Sequence, residues 1–231
     1  MAVTSTIADK QPAVDRKRLR CKKKFFHYFP KAFKDPTYTA WERDYKWNAH
    51  LEWEKELNQT QFKKLLANKD YLEIARKAVK IETRTNLLFS FEKMALRDAT
   101  NTYDSARMFS EGLYHYVYGK EPLKERFERF VDVVANLPRK QTRVLTWPLV
   151  TVFGFIARPD LFIFLKPKVT RTAAEKYAFD FQYKSRPSWD TYLSLLEFAN
   201  QVRLDLADLK PRDMIDLQSF IWVMGSDEYP D

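Results

Sequence analysis

The feature that most restricts the fold is a run of apolar residues at helical spacing between Tyr71 and Ala99. Ile74, Ala75, Ala78, Ile81, Thr85, Leu88 and Ala95 recur at i, i+3, i+4 and i+7, which lines one side of a helix and demands that this side be buried. The spacing predicts one long amphipathic helix over Tyr71 to Ala99. Shorter stripes repeat the pattern. Tyr103 to Tyr118 ends at Gly119 with Pro122 beyond, and Leu123 to Leu137 carries Phe127, Phe130, Val131 and Val134 on one face, with the stop signals expected of helices. Further helices are predicted over Val169 to Tyr177, Ser188 to Leu209 and Arg212 to Met224, the last two separated by Pro211.

Two regions need arbitration. After the Asp35-Pro36-Thr37 turn, Trp41, Tyr45, Trp53 and Leu57 recur at helical spacing. Trp41, Trp47 and Trp53 are six residues apart, which spreads them around a helix and favours core packing over a base-stacking platform. The stretch from Lys140 to Ala157 is apolar and β-branched, and reads either as a central strand or as a buried helix kinked at Pro148. Its length is too great for a strand, so helix is the better assignment. The expectation is an all-α protein built as a compact multi-helix domain.

Composition agrees with that class. The 231 residues are 45% hydrophobic, 31% charged and 16% aromatic, so the chain can bury a core and is not intrinsically disordered. We expect a mobile tail over residues 1–14 and a single helical domain over 15–231, with a basic and aromatic segment at 15–60 and a helical body at 61–231. Only four glycines are present, and neither a Gly-rich phosphate loop nor a repeat period occurs, which excludes P-loop and Rossmann-type nucleotide binders and solenoids.

Cys21 is the only cysteine; it cannot form an internal disulfide or a thiolate cluster, and a reducing cytoplasm is the expected location. The longest apolar-rich run, Val144 to Ala157, is broken by Thr146, Pro148, Thr151 and Gly154, so no membrane span is expected. His27, His50 and His115 lack metal-ligand spacing and no GxSxG elbow occurs. No cofactor or metal is expected.

The formal charge of +9 points to a polyanionic partner. Eight basic residues lie between Lys10 and Lys24 against Asp15 alone, followed by Phe25, Phe26, Tyr28 and Phe29. Such a segment can lie along a phosphate backbone through Arg18, Arg20, Lys22 and Lys23, or can be a solvated basic helix face. A second basic region begins at Pro138. Arg139, Lys140, Gln141, Thr142 and Arg143, read as the opening of a helix, offer backbone N–H groups and cations to one phosphate. Lys166, Lys168 and Arg171 extend this region. Beyond it lies an acidic end, where Asp205, Asp208, Asp213, Asp216, Asp227, Glu228 and Asp231 face only Lys210 and Arg212 in the local sequence.

The order of elements over roughly residues 123–224 resembles the helix-hairpin-helix DNA glycosylase superfamily. Leu137-Pro138 matches the start of the hairpin, Thr142 its helix-opening threonine, Arg158-Pro159-Asp160 the following turn, and Val169 and Arg171 the segment after the catalytic position. Arg139 and Gln141 replace the hairpin glycines, and Lys166 falls where the family carries its catalytic aspartate. The resemblance therefore implies a DNA-binding helical scaffold that has lost its carboxylate, with Lys166 as a phosphate contact or, alternatively, as an amine nucleophile.

Other polar groups compete for attention. Asp213 and Asp216, with Gln218 nearby, can be read as metal ligands or as acids in the first turn of a helix, favoured by its dipole. Glu82, Arg84, Glu92, Arg97 and Asp98 can form a polar site or ordinary helix-face ion pairs, and Thr83 to Asn86 suggests a buried network. The leading functional expectation is a non-catalytic nucleic-acid-binding protein, with DNA the favoured ligand. The alternatives are a protein-interaction subunit of a larger defence or repair complex, and a nucleic-acid-processing enzyme with an unrecognised site.

Overall fold

The computed structural model describes residues 10–140 and 143–231. Among the described residues helices are the regular structure and no strand occurs, so the all-α class is observed. In order, α1 spans Lys10–Tyr28, α2 Pro36–Tyr38, a π-helical turn Thr39–Arg43, α3 Asp44–Glu56, α4 Gln59–Ala67, α5 Tyr71–Thr83, α6 Ser90–Ala99, α7 Tyr103–Tyr118, α8 Leu123–Asn136, α9 Trp147–Ala157, α10 Pro167–Tyr177, α11 Trp189–Asp205 and α12 Met214–Gly225. One contiguous apolar core runs from Cys21 to Tyr229. Among the described residues no helix is long and apolar enough to cross a membrane.

At its centre lies α9, whose eleven residues are all buried, as expected of a helix that is apolar all round. Pro148 does not kink it. The helix opens at Trp147, with Pro148 in its first turn and the Thr146 hydroxyl accepting from the Leu149 N–H, a position where the missing proline N–H costs nothing. The eighteen-residue helix expected from Lys140 is thus eleven residues long, and Pro138 to Lys140 lie in irregular backbone. Inside α9 the Thr151 hydroxyl donates to the Trp147 carbonyl (2.8 Å) and accepts from the Leu165 N–H (3.1 Å). That bond ties the extended segment before α10 onto the central helix.

The long helix expected over Tyr71 to Ala99 is two helices. Thr85 closes α5 by donating its hydroxyl to the Glu82 carbonyl (2.9 Å), and the Glu92 carboxylate accepts from the Phe89 N–H (3.0 Å) at the start of α6. Polar side chains thus satisfy both new helix ends. At the N-terminus, residues 10–14 belong to α1 rather than to a tail, with Pro12 tolerated in the first turn. The three tryptophans also divide. Trp53 is in the core and Trp47 is half-buried under Arg43, but Trp41 is 60% exposed against the edge of Phe29, because the π turn rotates it outward from the core face.

A buried charge network joins the π turn and α3 to α12. The Asp216 carboxylate accepts from the Tyr38 hydroxyl (2.7 Å), Arg43 Nη1 (2.8 Å), and both the backbone (2.8 Å) and the side chain of Arg212. Asp213 caps α12 and takes a second pair of bonds from Arg43. Beside them Lys46 donates to Glu42 (3.1 Å) and Ser219 (2.8 Å), and Tyr229 donates to Glu42 (2.6 Å). Burial would raise the Asp216 carboxyl, but the Arg212 and Tyr38 hydrogen bonds and the Arg43 charge hold it below the usual carboxylate range.

Helix α12 packs closely on α10, where a Cβ on Gly225 would overlap the Val169 carbonyl. Gly225→Ala should therefore lower stability by about 1–3 kcal/mol or more, whereas Glu197→Ala on the exposed face of α11 should change it by less than about 0.5 kcal/mol; urea unfolding reads both. Asp216→Ala leaves the buried Tyr38 hydroxyl without its acceptor and Arg43 with Asp213 alone, and should cost about 1–3 kcal/mol. Because the Asp216 carboxyl is depressed in the folded state, its contribution is present above the unfolded carboxyl's range and is lost as pH falls through the folded value. Wild type should thus lose stability in acid more steeply than Asp216→Asn does.

Candidate nucleic-acid interface

The two basic regions of the sequence meet in space along α10. Packing of α1 against α10 and α12 buries Cys21 and Phe25 on one face of α1 and Phe29 just past its end, residues four apart. That face sets the directions of the charges beside it. Lys17, Arg20, Lys23, Lys24 and His27 point with Thr172 and Lys176 of α10 into a cleft of about 1040 Å³, which also holds Glu175 and Asp231. A second cleft, of about 660 Å³, continues from Thr172 and Glu175 past Arg171 to Lys168. A third, of about 690 Å³, runs on from Pro167 and Lys168 to Arg143 and to Phe89 and Phe91. Neighbouring clefts share lining residues of α10, Thr172 and Glu175 between the first two and Pro167 and Lys168 between the second and third, so the three lie side by side around that helix.

Not every predicted contact faces these clefts as a free cation. Arg18 pairs with Asp205 (3.2 Å), and Lys22 binds both oxygens of Asp208 (2.7 Å). These two were expected to meet phosphate but are turned around α1 toward the end of α11. Lys168 is exposed and pairs with Asp227 (2.8 Å). Arg20 and Lys23 are exposed, Arg171 lies over the Tyr183 ring (5.1 Å), and none of the three has an ion-pair partner among the described residues. Arg139 and Lys140 are exposed in the connection after α8, and Arg143 lines the third cleft. Gln141 and Thr142 lie outside the described residues. Since α9 opens only at Trp147, the helix start expected at Pro138 offers no N–H groups there.

Lys166 is the clearest departure from expectation. Its side chain is only 12% exposed, and its ammonium donates to the Leu87 carbonyl (2.9 Å), sits 3.8 Å from Glu92 and lies 3.5 Å from the Phe89 ring centroid. Burial lowers its affinity for the proton, partly offset by Glu92 and Glu82. It is a positioning residue for the α5–α6 connection and supports a Phe89–Phe91 pair stacked at 5.4 Å and 20°. Both rings are about half exposed to solvent.

Behind the stack the break between α5 and α6 brings Glu82 and Glu92 together with Lys93 and Lys166. Arg84, Arg97 and Asp98 are excluded from this cluster, Arg84 pairing with Glu52 and Arg97 with Asp98 on the surface. Glu82 accepts from Thr85 and from the Leu88 N–H through one oxygen, while the other is buried without a partner among the described residues. Burial pushes its carboxyl up to about 7, with Lys93 (3.7 Å) and the Thr85 bond opposing. Asp213 and Asp216 are held by arginines as described above, and among the described residues no three His, Cys, Asp or Glu side chains gather as a metal site.

No family model matches the chain, and neither a curated protein nor a solved structure matches it.

The Glu82 carboxyl binds its proton more tightly in the folded chain than in the unfolded one, so the folded state holds more protons between about pH 4.5 and pH 7. Stability contributed at this site should fall by roughly 2–3 kcal/mol from about pH 5 to about pH 8. Glu82→Gln should remove that component, read as a flatter dependence of urea-unfolding free energy on pH.

Proposed function

We propose that the protein binds nucleic acid in the clefts around α10, with phosphates along α1 and α10 and exposed bases against Phe89 and Phe91. The observation that carries this reading is the gathering of Lys17, Arg20 and Lys23 with Arg171 along adjoining clefts, none with an ion-pair partner among the described residues. Cations on a concave track attract phosphate by counterion release, and a stacked aromatic pair beside such a track accepts unpaired bases of any sequence. Arg143 at the third cleft extends the track. The contacts are of the phosphate and stacking kinds, so the expected binding is tolerant of sequence and prefers single strands.

A second reading, docking of a protein subunit, is favoured by Phe89, Phe91 and Met94, which expose apolar surface together at the start of α6.

Fluorescence anisotropy with labelled single-stranded and duplex oligonucleotides separates the two. Binding should weaken steeply from low to moderate salt, and Lys17→Glu, Arg20→Glu and Lys23→Glu together should reduce affinity at least about tenfold and flatten the salt slope by about 2. Phe89→Ser with Phe91→Ser should weaken single-strand binding more than duplex binding, by about 1–3 kcal/mol per stacked base. Salt-independent binding, or a triple variant that binds as wild type does, overturns the reading. Absence of oligonucleotide binding together with a partner subunit lost on Phe89→Ser favours the second.

A further inference from the structure

In the cleft between α1 and α10 one carboxylate of the chain is set between two lysines. Asp231 bridges α1 and α10, with Oδ1 2.6 Å from Lys24 Nζ and Oδ2 2.6 Å from Lys176 Nζ. The preceding residues are anchored. Tyr229 donates to the buried Glu42 (2.6 Å) and packs edge-on against Tyr28 (4.9 Å), while the Tyr28 hydroxyl donates to the Pro230 carbonyl (2.6 Å). This anchoring delivers the Asp231 carboxylate to the cleft without burying it.

The burial of the partners is unequal. The Lys24 side chain is 10% exposed and the Asp231 side chain 65% exposed. An ammonium that deep needs a counterion, whereas a carboxylate that open loses little when another anion takes its place. One carboxylate also leaves an excess of positive charge, because it faces two lysines with Lys17, Arg20 and Lys23 around the same cleft and, among the described residues, Glu175 as the one other acid lining it. A phosphate group, with more acceptor oxygens, satisfies the two lysines through the same geometry.

We propose that Lys24 and Lys176 form a phosphate-binding subsite and that the Asp231 carboxylate occupies it in the unliganded protein, to be displaced by a phosphate of the incoming ligand. This rests on the polyanion reading of the cleft and adds a competitor to it. Asp231 then lowers affinity and sets a threshold of ligand charge below which the subsite stays closed.

The experiment compares wild type, Asp231→Asn, Asp231→Ser, and Asp231→Asn combined with Lys24→Gln and Lys176→Gln, all first shown to unfold cooperatively in urea. A labelled single-stranded oligonucleotide is one probe and inorganic pyrophosphate, followed by thermal shift, is the other. Asp231→Asn and Asp231→Ser should each bind the oligonucleotide about fivefold more tightly at low salt, with a salt slope steeper by about 0.7–1.4, the equivalent of one or two more phosphate contacts. The triple combination should lose the gain. Pyrophosphate should raise the melting temperature of Asp231→Asn more than that of wild type. Unchanged oligonucleotide affinity and slope in both Asp231 variants, with wild type binding, overturns the subsite and leaves the nucleic-acid reading in place. Pyrophosphate stabilisation that grows on Asp231→Asn, with no oligonucleotide bound by any variant, upholds the subsite and overturns the nucleic-acid reading. Response to neither probe overturns both.

Discussion

The pairing of Arg43 with Asp213 and Asp216 sets how the first helices of the chain meet α12. Buried ions are tolerated only when each finds its opposite at hydrogen-bond distance, and here Glu42, Asp213 and Asp216 must be met at once by the buried Arg43 and Lys46 and by the exposed Arg212. The π turn brings Glu42 and Arg43 to the same side as Lys46, and α12 supplies Asp213, Asp216 and Ser219 to meet them. The register of the early helices against α12 is thereby fixed. A slide of either partner leaves a buried charge alone, at a cost comparable to the whole stability of a domain.

From that lock the basic face along α10 follows in steps. With α12 placed, Gly225 admits the backbone of α10, and α10 with α12 receives the Cys21 and Phe25 face of α1. Only then do basic side chains that lie about 150 residues apart in sequence share a cleft. The geometry also sorts them. Residues on one flank of α1, Arg18 and Lys22, meet the carboxylates at the end of α11, and those on the other flank meet α10 and solvent. The contrast between a basic start and an acidic end is in large part an internal complementarity: Asp205, Asp208, Asp213 and Asp231 are each answered by a cation from the first quarter of the chain.

A second consequence concerns the α5–α6 break. A regular helix through Glu82 and Glu92 would hold the two carboxylates well over 10 Å apart along its axis. The break folds them into one buried cluster with two lysines and turns Phe89 and Phe91 outward. The Lys166 ammonium under Phe89 couples the two features, since the same nitrogen holds the Leu87 carbonyl and faces Glu92. The polar run Thr83 to Asn86 marks this place in the sequence, but periodicity alone carries the apolar stripe straight through it.

The sequence by itself determined the helical class, the positions of most helices and the segments that carry the positive charge. These are local properties, fixed by spacing within a turn or two and by capping residues such as Gly119 and Pro122. It also marked Asp213 as an acid at a helix start. What only the tertiary structure decided was which charges are free. Arg18 and Arg20, or Lys22 and Lys23, are nearly indistinguishable in composition and differ only in the direction they leave α1, and the carboxylate that Lys22 meets lies 186 residues away in sequence. Trp41 and Lys166 diverged from expectation for the same reason, one turned out by a π turn and the other drawn in by a helix break. Net charge is a sum over the sequence, but binding depends on the charges left without a partner, and pairing exists only once the chain has folded.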